Sequence, residues 1–214
     1  MSGNFLAFRD ITGIRLAEGS DTEGVNLTAM TSDEALMLEF QRGSRPAFEE
    51  LFARYRAPLF GFFRRRLGCG GRAEDLTQET FLAVIRSVVR YEPRALVRTY
   101  LYGIAMKLLW AERRKGARNV SLEESQADPA VEAVSDSALW VRQALERLDD
   151  TQREILMLRE YEQLSYQEIA ELLRLPVNTV RSRLHHARLE FTEIVTRLTG
   201  EAPVVPLRKA GGDS

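Results

Sequence analysis

Apolar residues along this chain recur every three or four positions, and nowhere do they alternate with polar ones over the length of a strand. Where the period is present it predicts helix. Upstream it divides into four segments, at about 33–42, 45–67, 72–90 and 95–115, set off by Gly68, Gly70, Gly71 and Pro93. Pro46 and Pro58 stand where a helix can start or kink. Downstream, LSYQEIAELLRLPVNTVRSRLHHARLEF at 164–191 reads as two short helices joined by a tight turn.

The first of these helices is expected from Tyr166 to Leu173, with Ile169, Ala170, Leu172 and Leu173 at helical spacing and Ser165 as its cap. Pro176 ends it, and Asn178 or Thr179 is expected to cap the next. At about 100° per residue, Val180, Leu184 and Ala187 share a stripe that packs on the first helix. Asn178, Arg181, Ser182, His185 and Arg188 gather on the free side.

A free face of that kind suits the major groove, where Arg bonds bidentately to guanine and Asn to adenine. The duplex-reading candidates are Asn178, Thr179, Arg181, Ser182, His185 and Arg188. Arg183, on the flank, suits a phosphate contact or an intramolecular ion pair. The alternative is an ordinary solvated basic helix. His185 and His186 point about 100° apart with no third ligand nearby, so no metal site is expected.

Two upstream helices carry mixed faces. In the third segment Phe81, Val84, Ile85 and Val88 form the expected core face, while Asp75, Gln78, Glu79, Leu82 and Arg86 form another. An apolar residue ringed by polar ones suits docking on another protein; ordinary surface charge is the alternative. In the fourth segment the expected core stripe is Leu101, Ile104, Ala105 and Leu108, opposite Met106, Lys107, Trp110, Arg113 and Arg114. An exposed Trp among cations suits single-stranded nucleic acid, because bases stack on the ring while cations hold phosphates. Tyr100 and Tyr102 are further stacking candidates, with one of them open to a core role, and Trp110 could instead meet the linker.

Charge sharpens this picture. The net charge of the 214 residues is only −1, but it is segregated. From Arg94 to Arg118 seven basic residues face one acid, Glu112, whereas 119–138 holds five acids and no base. That second stretch, with Pro129, reads as a flexible acidic linker between two small helical domains of an all-α protein. No apolar run approaches the ~18 residues of a membrane span, and a secretory signal is missing, so a cytoplasmic location without membrane insertion is expected. The single cysteine, Cys69 in LGCGG, excludes an internal disulfide and is expected in a loop, with redox sensing a minor alternative. Without a Gly-rich phosphate loop or a nucleophile beside a histidine and an acid, no catalytic residues and no cofactor are expected.

The segment ALERLDDTQREILMLREYEQLSYQEIAELLRLPVNTVRSRLHHARLEF at 144–191 resembles region 4 of the extracytoplasmic-function (ECF) sigma factors, small members of the sigma-70 family. AFEELFARYRAPLF at 47–60, AEDLTQETFLAV at 73–84 and YLYGIAMKLLWAERRK at 100–115 resemble region 2. Together they span about three quarters of the chain in the family's order.

The resemblance implies a protein that binds core RNA polymerase and directs promoter-specific initiation without covalent chemistry. Region 4, here 139–198, would read the minus-35 duplex; region 2, here 30–118, would bind polymerase and hold the melted minus-ten strand. Asp75, Gln78 and Glu79, with Leu82 beside them, match the motif that binds the clamp coiled coil of the polymerase largest subunit. The helix carrying Tyr100, Lys107, Trp110, Arg113 and Arg114, and the loop before it with Arg94 and Arg98, would open the minus-ten element and trap an extruded base. An anti-sigma protein is an implied partner.

The chain departs from the family in having Tyr100 for a common Trp, Ala111 for polar or acidic residues, and Lys107 for a frequent Asn. The preferred minus-ten sequence is therefore open. A homodimeric helix-turn-helix regulator binding palindromic DNA is the competing reading, and an enzyme with a structural helix-turn-helix a remoter one. Residues 1–29 are expected to be a disordered extension, with Met30 an alternative start, and 199–214 a disordered tail.

Overall fold

The computed structural model of the chain describes residues 31–119 and 136–200, and these two stretches form two compact units. Among the described residues every regular element is helical. The expected extension and most of the expected tail and linker lie outside them.

The first unit holds α1 (Asp33–Gln41), α2 (Arg45–Leu67), α3 (Gly70–Ser87), a 3₁₀ turn (Val88–Arg90) and α4 (Val97–Asn119). Local chemistry sets the boundaries. The Ser32 and Ser44 hydroxyls accept the Ala35 and Ala47 amides at 3.2 and 3.4 Å, each satisfying an amide that has no partner within its helix. Pro46 falls in the first turn of α2, where a missing N–H costs nothing. Pro58 sits inside α2, which continues past it as α-helix to Leu67. There Gly68 takes a left-handed conformation (φ 71°) and Cys69, half-buried, opens α3, in the loop position expected for it.

The core of this unit is aromatic. Phe40 lies 4.8 Å from Phe48 and Phe52 4.7 Å from Phe81, ring centre to ring centre, while Leu59, Phe62 and Phe63 are fully enclosed. On α3 the core takes Phe81 and Val84 as expected, joined by Val88 from the 3₁₀ turn, leaves Ile85 half-buried, and adds Thr77 and Thr80. Those two hydroxyls donate to the carbonyls of Ala73 and Leu76, at 2.7 and 2.8 Å, so only their methyl groups face apolar neighbours. At one edge, Arg54 and Tyr55 of α2 both donate to the Asp33 carboxylate, tying α1 to α2. Burial and the nearby anion push the Tyr55 phenol well above its ordinary value.

Helix α4 sits against α1 and α3, and its register differs from the expected stripe. Leu101, Tyr102, Ala105, Met106 and Leu109 are buried, while Ile104 and Leu108 are only half-buried. The buried face is thus rotated by tens of degrees from the expected one, and Met106 belongs to the core rather than to the outward face.

The second unit holds α5 (Asp136–Arg147), α6 (Asp150–Glu160), α7 (Tyr166–Leu173) and α8 (Val177–Thr199). Its core includes Ala144, Leu148, Ile155, Leu158, Leu164, Ile169, Val180, Leu184 and Ala187. Arg153 closes the end of α5 by donating to the carbonyls of Leu145, Glu146 and Leu148 at 2.6, 3.1 and 2.9 Å.

Candidate nucleic-acid interface

Helices α7 and α8 form the expected helix-turn-helix. Ser165 and Glu168 make a reciprocal capping box, the hydroxyl accepting the Glu168 amide at 3.2 Å and the carboxylate accepting the Ser165 amide at 2.8 Å. Arg174, in the left-handed region at φ 54°, ends α7 before Pro176 is reached. Helix α8 then starts at Val177 behind Pro176 with no side-chain cap, so Asn178 and Thr179 lie within its first turn rather than ahead of it. It runs on to Thr199, beyond the expected end near Phe191.

The buried stripe of α8 includes Val180, Leu184 and Ala187, as the spacing predicts. Asn178, Arg181, Ser182 and His185 are exposed together, and Thr179 is half-buried at their edge. Within that face the Arg181 guanidinium lies 3.4 Å from the Asn178 amide oxygen, and the Ser182 hydroxyl donates to the Thr179 carbonyl at 3.1 Å. Arg188 differs. Its guanidinium donates through Nε and Nη2 to Glu160 at 3.1 and 2.6 Å, so the internal ion pair considered for Arg183 is made by Arg188. Arg183 is half-buried on the flank.

In the first unit the loop before α4 is fixed by residues distant in sequence. Gln41 donates its amide to the carbonyls of Val88 and Tyr91, both at 2.9 Å, and Glu34 accepts the Val97 amide at 3.2 Å, capping α4 from α1. No local pattern in the sequence signals either role. An open pocket of about 440 Å³ adjoins the loop, lined by Ser87, Arg90, Tyr91, Glu92, Arg94 and Tyr100. Tyr91 is buried, its hydroxyl has no hydrogen-bond partner among the described residues, and its phenol is pushed upward by burial and by Glu34.

Tyr100 stacks edge-on against Tyr91 at 5.2 Å and hydrogen-bonds Ser87 at 2.7 Å, whereas Tyr102 is buried and fills the core role left open for one of the two. Arg94 is exposed and paired with Glu92, at 2.5 Å. Arg98 is half-buried, and its charge acts on Tyr55. Further along α4, Trp110 is 37% exposed, with Lys107, Arg113 and Arg114 also exposed. On α3 the residues Asp75, Gln78 and Glu79 are exposed beside half-buried Leu82, the mixed face that the spacing predicts.

The family models for sigma-70 region 2 and sigma-70 region 4 match residues 51–119 and 138–191. The RNA polymerase sigma factor CarQ of Myxococcus xanthus is 35% identical over 169 residues, 76% of this chain and 97% of that protein. The chain belongs to the sigma-70 family. It is also similar to the ECF RNA polymerase sigma factor SigK of Mycobacterium ulcerans (strain Agy99), 30% identical over 72% of this chain and 88% of that one. Among solved structures, the sigma factor RpoE of Bartonella quintana, determined with the anti-sigma factor NepR, shares the fold. Its TM-score is 0.58 at 23% identity, over 70% of this chain and 96% of that one. This sigma factor is of the ECF type, a class that directs transcription initiation by binding rather than by catalysis. No described helix is long and apolar enough to cross a membrane.

Proposed function

We propose that the two units divide promoter recognition between them. The exposed face of α8 takes the minus-35 duplex, with Arg181 and Asn178 at base edges, Thr179, Ser182 and His185 beside them, and Arg183 toward phosphate. In the first unit Trp110 offers a ring to an unpaired minus-ten base while Lys107, Arg113 and Arg114 hold the strand. The pocket of Ser87, Tyr91 and Tyr100, with Arg94 on its lining and Arg98 nearby in sequence, receives the extruded base. The Ser87 and Tyr100 hydroxyls suit the polar edge of a base. Asp75, Gln78, Glu79 and Leu82 dock on a basic surface of core polymerase.

The observation that carries this reading is an exposed tryptophan among exposed cations on α4, in the same unit as the exposed acidic face of α3. A homodimeric regulator has no need of that pairing. The protein works in the cytoplasm, acts through contacts alone, and is restrained by an anti-sigma protein that covers these same faces. Co-purification of the full chain with core polymerase tests the docking half, and failure to bind core would remove it.

A further inference from the structure

Arg72, near the start of α3, reaches across to α4 and grips Glu112 with a two-pronged fork, Nε to Oε1 and Nη2 to Oε2, both at 2.7 Å. Two parallel bonds between planar groups fix an angle as well as a distance, which a single lysine contact cannot do. The same guanidinium lies 3.4 Å from Asp75 and 3.7 Å from Glu79 on the docking face. Glu112 is the one acid in the basic run from Arg94 to Arg118. Its carboxyl is held below its ordinary range, first by the hydrogen bonds from Arg72.

Position along α4 gives the pair its significance. Beyond Leu109 no side chain of α4 among those described is buried, yet Trp110, Arg113 and Arg114 all lie there. Apolar packing therefore thins beyond Leu109, to half-buried Ala111, and the fork acts on that stretch. We propose that Arg72 is a positioning residue for strand capture: by clamping Glu112 it sets the bearing of the distal end of α4 and ties that strand-facing end to the polymerase-docking helix.

Docking strengthens the clamp. A cationic partner on Asp75 and Glu79 competes with Arg72 for those two carboxylates and leaves Glu112 as its remaining acceptor. Polymerase binding and strand capture then favour each other through one guanidinium, by reciprocal linkage.

This inference rests on the strand-binding role proposed above for α4, and the experiment separates the two. Full-length wild type, Arg72→Ala, Glu112→Gln and the double variant are each assembled with core polymerase. Each is titrated with a duplex bearing a thymine-rich single-stranded overhang, with core alone as background. Sigma affinity for core and the thermal melt of each free variant are measured in parallel.

Both single variants are expected to keep core affinity within about twofold and to weaken overhang binding by about three- to tenfold. The double variant is expected to be no worse than either single one, because one contact is being removed twice. Unchanged overhang binding in both single variants, or additive losses in the double, overturns the clamp. If Arg72→Ala melts early, the near-isosteric Glu112→Gln decides alone, titrated at a temperature well below its own melt: weakened overhang binding supports the clamp, and unchanged overhang binding sinks it. A wild-type complex that binds the overhang no better than core alone instead refutes the strand-binding role of α4.

Discussion

Arg188 of α8 is bound to Glu160 at the end of α6, with Nη2 2.6 Å from the carboxylate, although its position on the helix wheel assigns it to the groove-reading face. Its side chain is only 18% exposed, while Glu160 is 46% exposed. A pair so placed braces the helix-turn-helix from behind, and solvent around Glu160 limits its strength to about 0.5–1 kcal/mol. Arg188→Ala should therefore lower the unfolding midpoint slightly and leave base preference at the upstream element intact. Urea melts alongside footprints on base-substituted promoters would show this. A lost preference with an unchanged melt would return Arg188 to the DNA face.

Arg181 should behave in the opposite way. It is exposed, with its guanidinium beside Asn178 in the first turns of α8, where groove-reading helices make their base contacts. Arg181→Ala is expected to cost about 1–3 kcal/mol on the preferred minus-35 sequence and less on others, with stability within about 0.5 kcal/mol of wild type. A uniform loss across sequences would make it a phosphate contact instead.

For Trp110 the expected defect is in opening rather than in duplex binding. Trp110→Ala should reduce permanganate reactivity of unpaired thymines, consistent with stacking worth about 1–3 kcal/mol per base, while Trp110→Phe should retain much of it. Equal reactivity in the alanine variant would mean that the ring only fills surface space.

The Arg72–Glu112 fork carries a pH signature. The Glu112 carboxyl is lowered in the folded protein, so its contribution to stability is present above the ordinary carboxylate value and is lost as pH falls through the folded one. Arg72 stays protonated throughout, its own value being raised chiefly by Glu112. Glu112→Gln should be less stable than wild type at neutral pH, and the gap should close below about pH 4. A gap independent of pH would show that the carboxylate charge contributes nothing.

How much of this was legible in the sequence depends on the range of each interaction. The capping box of Ser165 and Glu168 spans three residues, and the α7 limits follow from it directly. The buried Val180, Leu184 and Ala187 and the exposed Trp110 also follow from helical spacing. Spacing gives a period but fixes its phase poorly, which is why Met106, expected outward, lies inside. Thr77 and Thr80 read as polar, yet each hydroxyl is satisfied within its own helix and leaves a methyl for the core.

The remaining relationships join residues far apart in the chain. Glu34 to Val97, Gln41 to Tyr91 and Arg72 to Glu112 are separated by 63, 50 and 40 positions, beyond the reach of any local pattern. The same limit hid the partner of Arg188, because Glu160 lies on another helix 28 residues away. The resemblance implies the roles of the faces, and the structure shows which side chains stand on them.

The proposed bridge between polymerase and promoter uses three faces of one chain. Run-off transcription tests it most directly, with purified core polymerase, the full-length protein and a library of promoter fragments. Transcripts should require the protein, start at a fixed distance from paired upstream and downstream elements, and vanish when either element is scrambled. Tight binding of palindromic DNA without core, and no transcript with it, would refute the bridge.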